Sequence, residues 1–209
     1  MFLAFLGIAG FVILIQLNLF TIVLGAASLV LVAIYPFAKR ITYWPQILLG
    51  LTFKWGALIG WSAVTGSLAW TQVVLFGVIF FWTPPHYWPL SMRFRDDYAA
   101  AGVPMLPVVA GNVTVGRQIV AYSWVMVATS LLLWPVAGTT PVYGVAALAL
   151  GAAFLREAHL LLRRARREAA GSPLTGTSVE AGAMRLFHGS ITYLTLLFLF
   201  VAIDPLLPF

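Results

Sequence analysis

Residues 118–155 read QIVAYSWVMVATSLLLWPVAGTTPVYGVAALALGAAFL, 38 residues without a single Lys, Arg, Asp or Glu. As one helix this stretch would reach about 57 Å at 1.5 Å per residue. The hydrocarbon core of a bilayer is only about 30 Å thick and is crossed by about 20 residues. The stretch therefore reads as two helices reversing at Gly138-Thr139-Thr140-Pro141, residue types that suit a tight turn. Two further 38-residue stretches, 1–38 and 55–92, are equally free of charge and break at Gln16-Leu17-Asn18 and Thr65-Gly66-Ser67. Another helix runs from Trp44 to Val64 and a last one from Met184 to Asp204. The expected fold is all-α: one multi-pass transmembrane helical bundle over residues 1–209. Its seven helices fall at 1–16, 19–37, 45–64, 68–92, 117–137, 141–162 and 184–204.

Composition points the same way. Hydrophobic residues make up 62% of the chain and charged residues 9%, against about 25% charged in a soluble domain. Unbroken apolar runs, rather than alternating ones, exclude a β-barrel. With no cysteine, disulfides and thiolate metal sites are excluded. Met1 runs directly into apolar residues without a basic n-region or a small-residue cleavage site, so no secretory signal peptide is expected.

The net charge of +6 is better explained by membrane orientation than by nucleic acid. Assigning alternate loops to opposite faces puts Lys39, Arg40, Arg93, Arg95, Arg117, Arg156, Arg163, Arg164, Arg166, Arg167 and Arg185 on one side. The turns near 17, 66 and 139 and the tail after 204 carry no basic residue. The basic side is expected in the cytoplasm. Lys54 fits neither group, because it falls within an expected span. Residues 163–183, the most polar segment, read as a solvated loop near anionic headgroups. Trp44, Trp61, Trp70, Trp82 and Trp88 lie near expected span ends, as interfacial anchors do.

Few residues are equipped for chemistry. Asp96 and Asp97 are adjacent, just beyond the fourth helix, in Arg93-Phe94-Arg95-Asp96-Asp97-Tyr98. Paired carboxylates suit Mg2+, which takes one or two of them together with phosphate oxygens and waters. Arg93 and Arg95 would stabilise further negative charge on a diphosphate. The same six residues also read as an acidic pair salt-bridged to its own arginines, and both readings stay open here. Upstream, Pro84, Pro85 and Pro89 are expected to kink or unwind the fourth helix. His86 among them is a candidate for substrate binding or for satisfying a freed carbonyl. Lys54 should face the bundle interior or a wet cavity, where it meets either an anionic substrate group or a carbonyl. His188 and Tyr193 open the last helix, and His159 lies near the end of its own beside Arg156 and Glu157.

These residues carry a resemblance. Trp82-Thr83-Pro84-Pro85-His86-Tyr87-Trp88, then Arg95-Asp96-Asp97-Tyr98, then AGVPMLPVV at 101–109 resemble the signature of the protoheme IX farnesyltransferases, or heme O synthases. These form a branch of the UbiA-type intramembrane prenyltransferases. Ala183 to His188, with Tyr193-Leu194, is similar to that family's final helix, and the likeness runs from about residue 60 to the C-terminus. Before residue 60, Tyr35-Pro36-Phe37-Ala38-Lys39-Arg40, Tyr43-Trp44-Pro45-Gln46 and Leu49-Gly50 resemble the sister 4-hydroxybenzoate polyprenyltransferases instead. Lys54 fits neither pattern.

The resemblance implies nine helices and two aspartate-rich loops. The seven helices here would match the third to the ninth, with Asp96 and Asp97 in the second loop. No N-x-x-x-D motif of the first loop occurs in the sequence. The first two helices and half of the magnesium–diphosphate site are therefore expected to be missing, and the chain alone to be inactive. The implied reaction transfers a farnesyl group from farnesyl diphosphate to heme B, giving heme O, with Mg2+ on Asp96 and Asp97. Arg93, Arg95, Tyr98, His86, His188 and Lys54 are the implied substrate-side residues. A bacterial inner membrane and association with heme A synthase or oxidase assembly are implied with them. Two other readings stay open: prenylation of 4-hydroxybenzoate in ubiquinone biosynthesis, and a non-catalytic membrane remnant or transporter.

Overall fold

The computed structural model describes residues 2–38, 50–51, 54–173 and 177–207. Among them the regular structure is helical: α1 Phe2–Leu14, α2 Leu19–Ala38, α3 Gly56–Thr65, α4 Trp70–Arg93, α5 Arg95–Ala100 and α6 Leu106–Val109. Three long helices follow, α7 Asn112–Ala137, α8 Pro141–Ala169 and α9 Val179–Ile203, and a 3-10 turn at Asp204–Leu206 ends the fold. Lys39, Arg40, Trp44 and the beginning of the third expected span at 45–49 lie outside the described residues.

The expected hairpins are present, and their turns have the chemistry that was read from them. Gly66 and Gly138 close α3 and α7 with φ of +69° and +62°, a left-handed conformation that glycine adopts without Cβ strain. Asn18 opens α2: its Oδ1 accepts from the Thr21 amide at 3.0 Å and its Nδ2 donates to the Ser62 carbonyl at 2.7 Å. Thr21 Oγ1 also meets Ser62 Oγ at 2.9 Å, so a polar knot joins α2 to α3 where both are otherwise apolar.

Helices α4, α7, α8 and α9 close into a four-helix bundle, each packed on the next and α9 back on α4. Val78, Trp88, Ile119, Met126, Leu133, Tyr143, Leu161, Leu186 and Leu197 are fully buried within it. Close approach of α7 and α8 depends on small residues. A Cβ at Gly151 would come within 2.6 Å of Val127, and one at Gly144 within 2.5 Å of the Trp134 ring. Hydroxyls complete the seam: Tyr143 donates to the Ser130 carbonyl at 2.9 Å, and Tyr193 lies 2.6 Å from Ser130 Oγ. Such bonds are well suited to lipid, where no water competes for either partner. Tyr193 is thereby a core residue of mid-α9 and does not open that helix.

Several expectations are corrected. Helices long and apolar enough to cross a membrane number four among the described residues: Leu19–Phe37, Asn112–Ala137, Pro141–Ala169 and Val179–Leu206. α1, at 13 residues, reaches only about 20 Å, while the third expected span lies partly outside the described residues and α3 covers its second half. α4 has the length, 24 residues, but carries Gln72, His86 and three prolines. Those prolines do not unwind it: α4 runs unbroken from Trp70 to Arg93 with Pro84, Pro85 and Pro89 buried, because α7 and α9 pack along it on both sides. The polar segment after 162 is not all loop, since α8 continues through Arg163, Arg164, Arg166 and Arg167 to Ala169. Arginine is a good helix former and projects here past the apolar span. Trp82 and Trp88 are core residues rather than interfacial anchors, at 8% and 0% exposure.

Asp204 has a role that the sequence hid. It is buried, and its carboxylate accepts from the Thr140 amide at 2.9 Å and the Thr140 hydroxyl at 2.5 Å. The end of α9 thus satisfies the start of α8. Asp204→Ala is expected to lower stability by about 2 kcal/mol, read as thermal or denaturant unfolding in detergent.

Candidate functional site

The antiparallel seam between α4 and α9 gathers the polar and aromatic groups that the bundle does not use for packing alone. His86 projects from mid-α4 and its ring is stacked on both faces. Trp82 lies 4.0 Å away at 17° and Phe187 of α9 4.7 Å away at 23°. Trp82 Nε1 donates to the Ser190 carbonyl at 2.8 Å, which fixes the indole against α9. His86 Nδ1 lies 2.7 Å from Ser190 Oγ, and Ser190 Oγ donates its own hydrogen to the Phe187 carbonyl at 2.6 Å.

That arrangement links the imidazole tautomer to Ser190. A serine hydroxyl has one hydrogen, and where it goes to the Phe187 carbonyl, Nδ1 is the donor of the His86–Ser190 bond. In that tautomer neutral His86 carries its proton on Nδ1 and its lone pair on Nε2, in a ring clamped on both faces. Lys54 Nζ stands 5.5 Å from the Trp82 ring centroid, a cation–π distance. Lys54 is in the break just before α3, outside any helix, and it joins the His86 cluster. Ser190→Ala is expected to release the tautomer, and 15N shifts of the labelled His86 ring should move from the Nδ1–H pattern toward a mixed population.

About two helical turns further along the same seam, Arg93 of α4 meets Glu180 of α9 at 3.8 Å, with both side chains exposed. Its guanidinium also lies 5.8 Å from the Phe94 ring. The chain breaks at Phe94, and α5 begins with Arg95, placing Asp96 and Asp97 in its first turn. Both aspartates and Arg95 are exposed and Tyr98 is half-buried. No ion pair joins Asp96 or Asp97 to another described residue, so the reading of an acidic pair neutralised by Arg93 and Arg95 is not what the structure has. Neither aspartate lines the α7–α8 groove or the smaller hollows beside Phe154 and Trp134. No group of three or more His, Cys, Asp or Glu capable of holding a metal occurs among the described residues.

The other histidines stay apart. His188 is exposed, with Nδ1 bonded to the Met184 carbonyl at 2.7 Å. His159 bonds the Leu155 carbonyl at 2.8 Å and lies edge-on to Trp124 of α7. The structure thus brings His86 and Lys54 together, while His188 lies on the exposed side of α9 and meets the cluster edge-on at Phe187, 5.3 Å between ring centroids. Phe187 and Ser190 are members of the cluster that sequence reasoning did not name as site residues, and Trp82 was read there as an interfacial anchor. The WTPPHYW run pointed to Trp82, but no local pattern tied Phe187 and Ser190 to a histidine about a hundred residues upstream.

A model of the UbiA prenyltransferase family matches residues 1–191. A protoheme IX farnesyltransferase of Nocardioides sp. is 60% identical over 158 residues, 76% of this chain and 48% of that protein. One of Streptomyces coelicolor is 52% identical over 184 residues, 88% of this chain and 56% of that protein. One of Frankia alni is 60% identical over 146 residues, 70% of this chain and 47% of that protein. The 184-residue match is longer than the stretch from residue 60 to the C-terminus, so this likeness reaches into the first sixty residues. No solved structure matches. The chain spans about half the length of the curated relatives it matches. With a membrane-embedded helical bundle and a family match over most of its length, the chain belongs to the UbiA prenyltransferase family.

Proposed function

We propose that this chain is the heme-side part of a protoheme IX farnesyltransferase, which moves a farnesyl group from farnesyl diphosphate to a vinyl group of heme B and so makes heme O. The observation that carries the reading is the 52–60% identity to proteins of that name, which spans α4, α5 and the segment between them. The clamped imidazole of His86 supports it. An Nε2 lone pair beside a lysine suits a flat, iron-bearing acceptor with acidic side groups better than it suits a small aromatic acid. His86 offers its lone pair to the iron, and Lys54 meets a propionate.

At the other end of the seam, Asp96 and Asp97 fit a divalent cation by donor type: hard oxygens, adjacent, exposed and unpaired. They would supply two carboxylate ligands to Mg2+, the remainder coming from diphosphate, water and residues of the first aspartate-rich loop, which this sequence does not contain. The bound ion would neutralise charge on the departing diphosphate. Arg95 is free to bind diphosphate oxygens, and Arg93 is held near by Glu180. The bundle excludes water from the prenyl chain while it reacts. The basic loops face the cytoplasm of a bacterial inner membrane, where heme A synthase or oxidase assembly would receive the product.

Two tests follow. A complete protein carrying this chain, offered farnesyl diphosphate with equal heme B and 4-hydroxybenzoate, is expected to yield heme O by mass spectrometry. Prenylated hydroxybenzoate as the main product would move the assignment to the sister branch. The 209-residue chain alone, with one aspartate pair, is expected to give little or no heme O, and robust production by purified chain would contradict the divided metal site.

A further inference from the structure

Away from the α4–α9 seam, α7 and α8 leave an outward-opening groove of about 660 Å³. Its walls are apolar, with Trp124 and Leu131 from α7 and Leu148, Ala152 and Leu155 from α8. Its polar side chains are Arg156, His159 and Arg163, all toward one end. Residues 148, 152, 155, 159 and 163 share one face of α8 by helical spacing. The apolar part from Leu148 to Arg156 runs about 12 Å and the cationic part about 10 Å more. The first length is close to one leaflet of hydrocarbon, about 15 Å.

Charge at that end is uneven. Arg156 is paired with Glu157 at 2.9 Å. Arg163 is exposed and has no ion-pair partner among the described residues. From α7, Arg117 is exposed at about the same level, because its neighbour Gly116 faces Leu162 so closely that an added Cβ would lie 3.3 Å from the Leu162 Cα. Counting Arg117, Arg156, Glu157 and Arg163 leaves the mouth cationic, whether or not His159 is protonated.

We infer that this groove binds an anionic phospholipid, one acyl chain lying along Leu131, Leu148 and Ala152 and the headgroup phosphate meeting Arg163 and Arg156. Apolar length and basic end match the two halves of such a lipid, as in basic pockets between transmembrane helices. Prenyl diphosphate shares this tail-and-head chemistry, but the groove suits it less. Trp124 and Leu148 are 55% and 59% exposed, so the groove is open rather than enclosing, and it lacks a carboxylate pair to hold a cation.

The test is native mass spectrometry of the purified 209-residue chain in detergent with equal palmitoyl-oleoyl phosphatidylglycerol and phosphatidylcholine. The wild-type chain is expected to retain phosphatidylglycerol preferentially. Each of Arg163→Gln and Arg156→Gln should cut that preference about fivefold. Ala152→Trp, which fills the apolar part and leaves the charges intact, should reduce retention of both lipids. Circular dichroism checks that the variants fold. Equal retention of the two lipids by wild type, or unchanged retention in the variants, overturns the inference. Displacement of phosphatidylglycerol by equimolar farnesyl diphosphate overturns it in favour of a prenyl diphosphate groove.

Discussion

Replacing Asp96 or Asp97 with alanine, in a complete protein that carries this chain, is expected to lower farnesyl transfer by about a hundredfold or more. Folding gives no other explanation for such a loss. Both carboxylates are exposed, neither has an ion-pair partner among the described residues, and they occupy the first turn of a six-residue helix. Exposed substitutions of this kind shift stability by no more than about 0.5 kcal/mol. Thermal unfolding should therefore stay at the wild-type value while turnover collapses. Wild-type rates in both variants would remove the diphosphate role from this pair. The charge-conserving Asp96→Glu should restore part of the activity, because the donor type survives and only its reach changes.

The second large effect concerns the acceptor. His86→Phe keeps an aromatic ring between Trp82 and Phe187 but loses both the Ser190 bond and the Nε2 lone pair. Heme B affinity, followed through the Soret band, is expected to weaken about a hundredfold. Stability should fall by only about 1 kcal/mol, the net worth of one hydrogen bond. His188→Phe is the contrasting case. Its ring is exposed and touches the cluster only edge-on at Phe187, a contact that phenylalanine keeps, so binding should stay within about twofold of wild type, as for a surface substitution. A reversal of the two results would transfer the acceptor site to the outer face of α9.

The hairpin rhythm was legible in the sequence because its determinants are local. Charge-free runs have a length that the bilayer limits, and Gly66 and Gly138 mark reversals that need left-handed backbone. The aspartate pair stands out as a candidate in the sequence, since two carboxylates beside two arginines are a chemical pattern in any fold, and its role is the proposal tested above. Less could be read where the outcome depends on neighbours. Pro84, Pro85 and Pro89 break an isolated helix, yet α4 stays continuous once α7 and α9 flank it. Trp82 and Trp88 look like interfacial anchors by position, and only the closed bundle shows that their rings are inside it. Asp204 reads as the polar stop of a span, whereas its partner Thr140 lies 64 residues earlier. The clamp on His86 was hidden for the same reason, because Ser190 and Phe187 come from the far end of the chain. Arg163 to Arg167 suggested a loop, but arginine continues a helix as readily as it leaves one.

The account depends most on Asp96 and Asp97 as ligands of a diphosphate-bound divalent cation, and Mn2+ can report on that directly. Electron paramagnetic resonance of Mn2+ titrated into the complete protein with a non-hydrolysable farnesyl thiodiphosphate should reveal bound Mn2+ that depends on the analogue. That binding should disappear in Asp96→Asn/Asp97→Asn. Equal Mn2+ binding by the wild type and the double variant would contradict the account.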